Sequence, residues 1–221
     1  MTDINELKSI FKNQELLTQA LTHKSWVNEH KNQRESNERL EFLGDAVLEF
    51  VVSKEIYDIH PDKEEGFLTA LRANLVNTQN LASIARKLNV GKVLYLAKGE
   101  EDGGGRENPS LLADTVEAII GAFFLDQGIK PVYLFIKEQI IAEIPEKLLR
   151  PLKDAKSRLQ EYIQSKKLPT PRYKVIEESG PDHSKKFVVE VSVEGRELGT
   201  GEGKSKSTAE QKAADNALSR L

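Results

Sequence analysis

Five carboxylates in two short ladders are the side chains of this 221-residue chain whose spacing points to chemistry. Glu38, Glu41 and Asp45 stand at i, i+3 and i+7, and Asp114 and Glu117 at i and i+3. On a helix of 3.6 residues per turn the first three fall within an arc of about 60°. Their neighbours are apolar: Leu40, Phe42, Leu43, Val47, Leu48 and Val51 follow the first ladder, and LLADTVEAIIGAFFL (111–125) surrounds the second. That pattern belongs to helices buried on most faces, not to surface helices with one apolar stripe. A carboxylate on such a helix must be protonated, paired or bound to a cation, because an isolated buried charge is too costly. An arginine or lysine could pair one of them; three in a row suggest a metal. Two such helices face to face can build an all-oxygen cage, the coordination that hard divalent cations such as Mg²⁺ take. The chain has no cysteine to argue for zinc.

The ladders need rigid supports, and periodicity supplies them. Residues 3–30 read as two short helices with Leu7, Ile10, Phe11, Leu17 and Leu21 as core positions. After the polar stretch KNQRES (31–36), Ser36 or Asn37 can cap the helix that runs from Glu38 to Ile56. YDIHPDKEEG (57–66) is a turn marked by Pro61 and Gly66, followed by helices over 67–79 and 78–89. Arg72 and Asn74 on these helices are substrate contacts or ordinary surface polar residues. AKGEEDGGGRENP (97–109) holds four glycines, but it lacks the G-x-x-x-x-G-K-[ST] pattern and no strand precedes it. No nucleotide cofactor is expected, and the stretch reads as a mobile connector delivering Asp114 and Glu117. A helix over 132–143 adds core, and Pro145 and Pro151 mark a linker. The expected domains are therefore 1–145 and 154–221, joined by 146–153.

The second domain reads α-β-β-β-α. Leu159, Tyr162 and Ile163 share one face of a helix over 154–167, and Phe187, Val189, Val191 and Val193 alternate with more polar positions as in a strand. The last helix is expected to open on a capping box, Ser207-x-x-Glu210, and to bury Ala213, Ala214, Ala217, Leu218 and Leu221. Ahead of it, Gly203-Lys204-Ser205-Lys206 sets two ammonium groups and free N–H groups where a phosphate could bind.

The net charge of −3 is unevenly divided. Of 32 basic and 35 acidic residues, 14 and 11 fall in 152–221, a balance of +3, which leaves 18 and 24 before it, a balance of −6. The basic end can grip phosphates, whereas the acidic end repels them unless cations fill it. The absence of cysteine fits a reducing compartment. MTDINELKSIF has no signal-peptide pattern, and the longest apolar run, Ala118–Leu125, falls far short of the ~20 residues a membrane span needs. A soluble cytoplasmic protein with no membrane partner is expected.

NERLEFLGD (37–45), GGRENPSLLADTVEAIIGAFFLDQG (104–128) and the C-terminal GPDHSKKF and GEGKSKSTAEQKAA occur in the order and at the spacing of the ribonuclease III family, and the chain resembles its bacterial two-domain form over essentially its whole length. Thr22–Trp26 resembles the family's HxSY-type turn with Trp26 for the usual Tyr, and His23 there reads as a structural hydrogen-bonding group. The fold implied is an all-α nuclease domain followed by an α-β-β-β-α double-stranded-RNA-binding domain. The activity implied is Mg²⁺-dependent phosphodiester hydrolysis in double-stranded RNA, with Mn²⁺ as substitute and no Ser, His or Cys nucleophile.

By the same resemblance Glu41, Asp45, Asp114 and Glu117 ligate metal, while Glu38 and Glu65 stand in the outer shell or hold substrate. Gln160 and Glu161 would face one minor groove, His183 the next, and Lys204, Lys206 and Lys212 the phosphates. The family works as a homodimer that leaves a 5′-phosphate and a short 3′ overhang. Phe42 matches the aromatic that the family buries in its partner; an ordinary core position is the alternative. Processing of ribosomal-RNA precursors and other structured RNAs is implied. Two rivals stand beside this reading: an RNA-holding module whose catalytic acids are lost, against which the four acids argue, and another metal phosphohydrolase, which would need His-Asp ligand pairs, whereas none of the four histidines stands beside an aspartate on a buried helix.

Overall fold

The computed structural model describes residues 3–181 and 184–221, which form two compact units divided between Leu152 and Lys153. The first is helical: α1 (Ile4–Ile10), α2 (Gln14–Ala20), α3 (Lys24–Glu29), α4 (Glu38–Ile59), α5 (Glu65–Val76), α6 (Thr78–Lys87), α7 (Lys98–Asp102), α8 (Pro109–Gln127), α9 (Ile129–Gln139) and α10 (Ile144–Lys147). Its core includes Leu7, Leu48, Val51, Leu71, Leu81, Ile119, Ile120 and Ile136. Among the described residues no helix is long and apolar enough to cross a membrane.

Several expectations change in detail. Residues 3–30 hold three helices, because His23 caps a short third one by accepting the Ser25 N–H at its own Nδ1. The first ladder's helix does not stop at Ile56 but runs one turn on, so Tyr57 is helical. Asn37 occupies its N-cap position without a side-chain cap bond, and Ser36 Oγ instead donates to Glu38 Oε2 at 3.0 Å. Nor is α4 buried on most faces: Phe42, Phe50 and Tyr57 are 80%, 63% and 70% exposed. The glycine-rich stretch is not a loose connector. It contains α7, and Arg106 fastens it by donating to the carbonyls of Gly91 at 2.8 Å and Leu94 at 3.1 Å.

The second unit contains α11 (Ala155–Ser165), β1 (Arg172–Ser179), β2 (Lys186–Val193), β3 (Arg196–Gly203) and α12 (Lys206–Leu218). The sheet is antiparallel in the order β1-β2-β3. Its inner face (Val189, Val191, Val193) packs with Leu159 and Ile163 of α11 and Ala209, Ala213 and Ala217 of α12. Small residues on both sides bring α12 close to β3: a Cβ on Gly201 would lie 2.2 Å from the Ala213 nitrogen. The expected capping box does not form. Ser205 is the N-cap, accepting the Thr208 N–H at 3.1 Å, and Glu210 pairs with Lys156 at 2.5 Å. Leu221 lies beyond the helix and is 53% exposed, not buried.

Candidate metal centre and nucleic-acid surface

The acids are brought together by two glycines. Gly44 of α4 and Gly121 of α8 meet where the helices cross. A Cβ on Gly44 would lie 1.7 Å from the Glu117 carbonyl oxygen, and one on Gly121 would lie 2.1 Å from the Leu40 carbonyl. Backbone therefore meets backbone, and side chains one turn away converge. Glu41, Asp114 and Glu117 are half-buried, each with a carboxylate oxygen within 4.8 Å of the other two. Among the described residues no other group of His, Asp or Glu meets that criterion.

The electrostatics describe a site short of positive charge. Burial, reinforced by Asp45, Asp114, Glu41 and Glu49, pushes Glu117 up to about 8. Burial also raises Asp114, against the opposing pull of His23 and Lys24, and it raises Glu41 together with Asp114 and Glu38. Carboxylates so placed must hold protons or a cation. An all-oxygen anionic donor set of this kind fits a hard divalent ion. Glu55 shows the other solution on the same helix: it is 4% exposed and is satisfied by the Tyr133 hydroxyl and by Lys137 at 3.4 Å.

The remaining expected residues are placed as follows. Asp45 is exposed and lies outside the tight triad, although its charge acts on Glu117. Glu38 is exposed, paired with Lys24 at 3.4 Å and bonded by Ser36. Glu65, the first residue of α5, is exposed and accepts from Thr69 Oγ1 at 2.7 Å, apart from the triad. Arg72 is tied to Glu49 at 2.9 Å and to Ser53, and Asn74 bonds the carbonyls of Ala70 and Leu152. Gln160 and Glu161 sit exposed on α11, with Glu161 paired to Lys153; Lys204 and Lys206 are exposed at the start of α12 and Lys212 is exposed halfway along it. His183 lies outside the described residues. Sequence reading passed over Glu49 and Lys24; Glu49 was signalled by continuing the ladder one turn past Asp45, Lys24 by no periodicity.

A helical unit with a carboxylate triad, followed by an α-β-β-β-α unit with exposed lysines on and before its last helix, defines a metal-dependent nuclease coupled to an RNA-binding module. Residues 13–144 match the Ribonuclease-III-like family and residues 155–221 the Double-stranded RNA binding motif. Ribonuclease 3 of Anoxybacillus flavithermus is 49% identical over 212 residues, spanning 96% of this chain and 89% of that protein. Ribonuclease 3 of a Roseiflexus species is 48% identical over 217 residues, spanning 96% and 91%. A solved structure of the nuclease domain of ribonuclease III from Campylobacter jejuni is 41% identical with a TM-score of 0.58, covering 65% of this chain and 99% of that one. The chain belongs to the ribonuclease III family. It is an endoribonuclease of double-stranded RNA, from a family of metal-dependent nucleases.

Proposed function

We propose that Glu41, Asp114 and Glu117, with Asp45 at their edge, hold Mg²⁺, for which Mn²⁺ substitutes, and that this centre hydrolyses one phosphodiester per active site. The observation that carries the reading is the convergence of three carboxylates within 4.8 Å. A divalent ion bound there lowers the pKa of a water and offsets the charge developing on phosphate. The chain's own part is to hold Glu117, Asp114 and Glu41 together on helices that cannot splay, so that a cation would displace the proton that burial favours on Glu117, and to offer Glu38 and Glu65 in the outer shell or to substrate.

The division into a nuclease domain over 1–145, a linker over 146–153 and an RNA-binding domain over 154–221 belongs to the same proposal. Gln160 and Glu161 meet one minor groove, His183 the next, and Lys204, Lys206 and Lys212 hold phosphates in a shape-reading mode. Two chains act together. The Campylobacter jejuni nuclease domain has a region involved in dimer formation, and here Phe42 presents an uncovered aromatic next to the acids. Paired centres leave a 5′-phosphate and a short 3′ overhang. The substrates are structured cytoplasmic RNAs, ribosomal-RNA precursors and messenger RNAs among them.

The test is cleavage of a long labelled RNA duplex with Mg²⁺, against EDTA, single-stranded RNA and Glu117→Gln. Metal-dependent cutting of duplex, with the variant binding but not cutting, is the expected result. Binding without cutting by the wild type under every divalent ion would replace the enzyme with an RNA-holding module.

A further inference from the structure

Among the charges around the acid site, Lys24 is a permanent cation on a fixed platform. Lys24 Nζ lies 3.4 Å from Glu38 Oε1, one turn before Glu41 on α4. The backbone beneath it is pinned from both sides. The His23 N–H donates to the Tyr95 carbonyl at 3.1 Å, and the Ala97 N–H donates to Ser25 Oγ at 3.0 Å. Ser25 Oγ also bonds His23 Nδ1 at 2.8 Å. Glu38 is held in turn by Ser36. The charges bear on the site unevenly. Lys24 acts on both Glu41 and Asp114, whereas the charged groups that act most on Glu117 are the acids Asp45, Asp114, Glu41 and Glu49. The other cationic candidate, His23, is kept toward its neutral form by burial.

We propose that Lys24 is a substrate-binding residue: on arrival of the duplex its ammonium leaves Glu38 and takes a phosphate oxygen of the strand to be cut. A phosphodiester approaching this many carboxylates meets repulsion, and a metal held by the triad would offset it only there. A lysine suits the other end, being a compact point charge on a flexible stem with three donors. Its resting pair with Glu38 is solvent-exposed, 62% and 55% for the two side chains, and so is weak enough to exchange. The proposal rests on the reading of the triad as the metal and scissile-phosphate site.

The experiment is steady-state cleavage of a defined RNA duplex by the full chain, with duplex, Mg²⁺ and salt each titrated, for wild type, Lys24→Gln, Lys24→Arg and Glu117→Gln. Lys24→Gln should raise KM and reduce the slope of log KM against log salt by about one, the signature of one lost phosphate contact. It should also lower the Mg²⁺ concentration for half-maximal rate, because a cation that repels the metal is gone. Lys24→Arg should restore KM and slope. An unchanged salt slope overturns the proposal, and so does a Mg²⁺ requirement that rises together with KM, since that would mark a structural role. Glu117→Gln separates the two levels: if it cuts normally, the reading of the triad falls and this proposal with it.

Discussion

Gly44 and Glu117 touch through their backbones: there is no room for even a methyl group between the Gly44 α-carbon and the Glu117 carbonyl oxygen. This contact sets the distance between the two acid ladders. Gly44→Ala must push α8 away or bend α4, and overpacking of this kind costs about 1–3 kcal/mol, sometimes more. We expect Gly44→Ala and Gly121→Ala each to lower Tm and to reduce cleavage well beyond what the loss of folded protein explains. Thermal melts and rates normalised to folded protein check this; a variant with wild-type rate and Tm would show that the crossing tolerates separation.

How far the site was legible follows from particular residues. The spacing of Glu38, Glu41, Asp45, Asp114 and Glu117 could be read because helical periodicity is local. The need for a cation came from apolar neighbours, but that argument alone does not separate Glu117 from Glu55, equally an acid among apolar neighbours on a helix. Glu55 finds Tyr133 and Lys137, which are distant in sequence, and no local pattern announces that pairing. The expectation that α4 is buried on most faces fails for a related reason. Phe50 is as apolar as a buried residue, and its own chain's local pattern does not separate it from Leu48 or Val51. The cap of α12 lies two residues before the expected one because Ser205 and Ser207 both offer a permissible helix start, and Ser205 is the one that accepts the Thr208 N–H.

The raised Glu117 makes a pH prediction with a definite sign. In the unfolded chain the group titrates near its ordinary value of 4.5, and in the folded metal-free protein at about 8. Between these values the folded state binds the extra proton, so Glu117's contribution to stability is present at low pH and is lost as pH rises toward 8. A divalent ion replaces that proton, so its stabilising effect should grow over the same window. Melts with EDTA and with Mg²⁺ from pH 5 to pH 8.5 should diverge with rising pH. Glu117→Gln should flatten the EDTA curve; a Mg²⁺ shift that is the same at pH 5 and pH 8 would contradict the assignment.

The α12 cap gives a local prediction for the second unit. Ser205→Ala removes the acceptor for the Thr208 N–H and should cost about 1 kcal/mol. Ser207→Ala, at a position already inside the helix, should be neutral within about 0.5 kcal/mol. Chemical denaturation monitored on the 153–221 transition distinguishes them, and equal effects would restore the Ser207 cap.

Phe42 supplies the last prediction, on assembly. With 80% of its surface exposed it contributes almost nothing to packing within its own chain, so Phe42→Ala should leave unfolding free energy within about 0.5 kcal/mol of wild type under conditions where the chain is monomeric. If a second copy covers it, the same ring becomes a buried aromatic anchor, and truncating such an anchor typically costs about 2 kcal/mol or more, roughly a 30-fold rise in Kd. Helical spacing puts Ala46, Phe50 and Tyr57 on the same stripe, so Phe50→Ala should add to the loss. Sedimentation equilibrium over a range of concentrations measures both. Unchanged self-association in Phe42→Ala would remove this face from the dimer, whereas a large loss of monomer stability would mean that the ring packs within the chain after all.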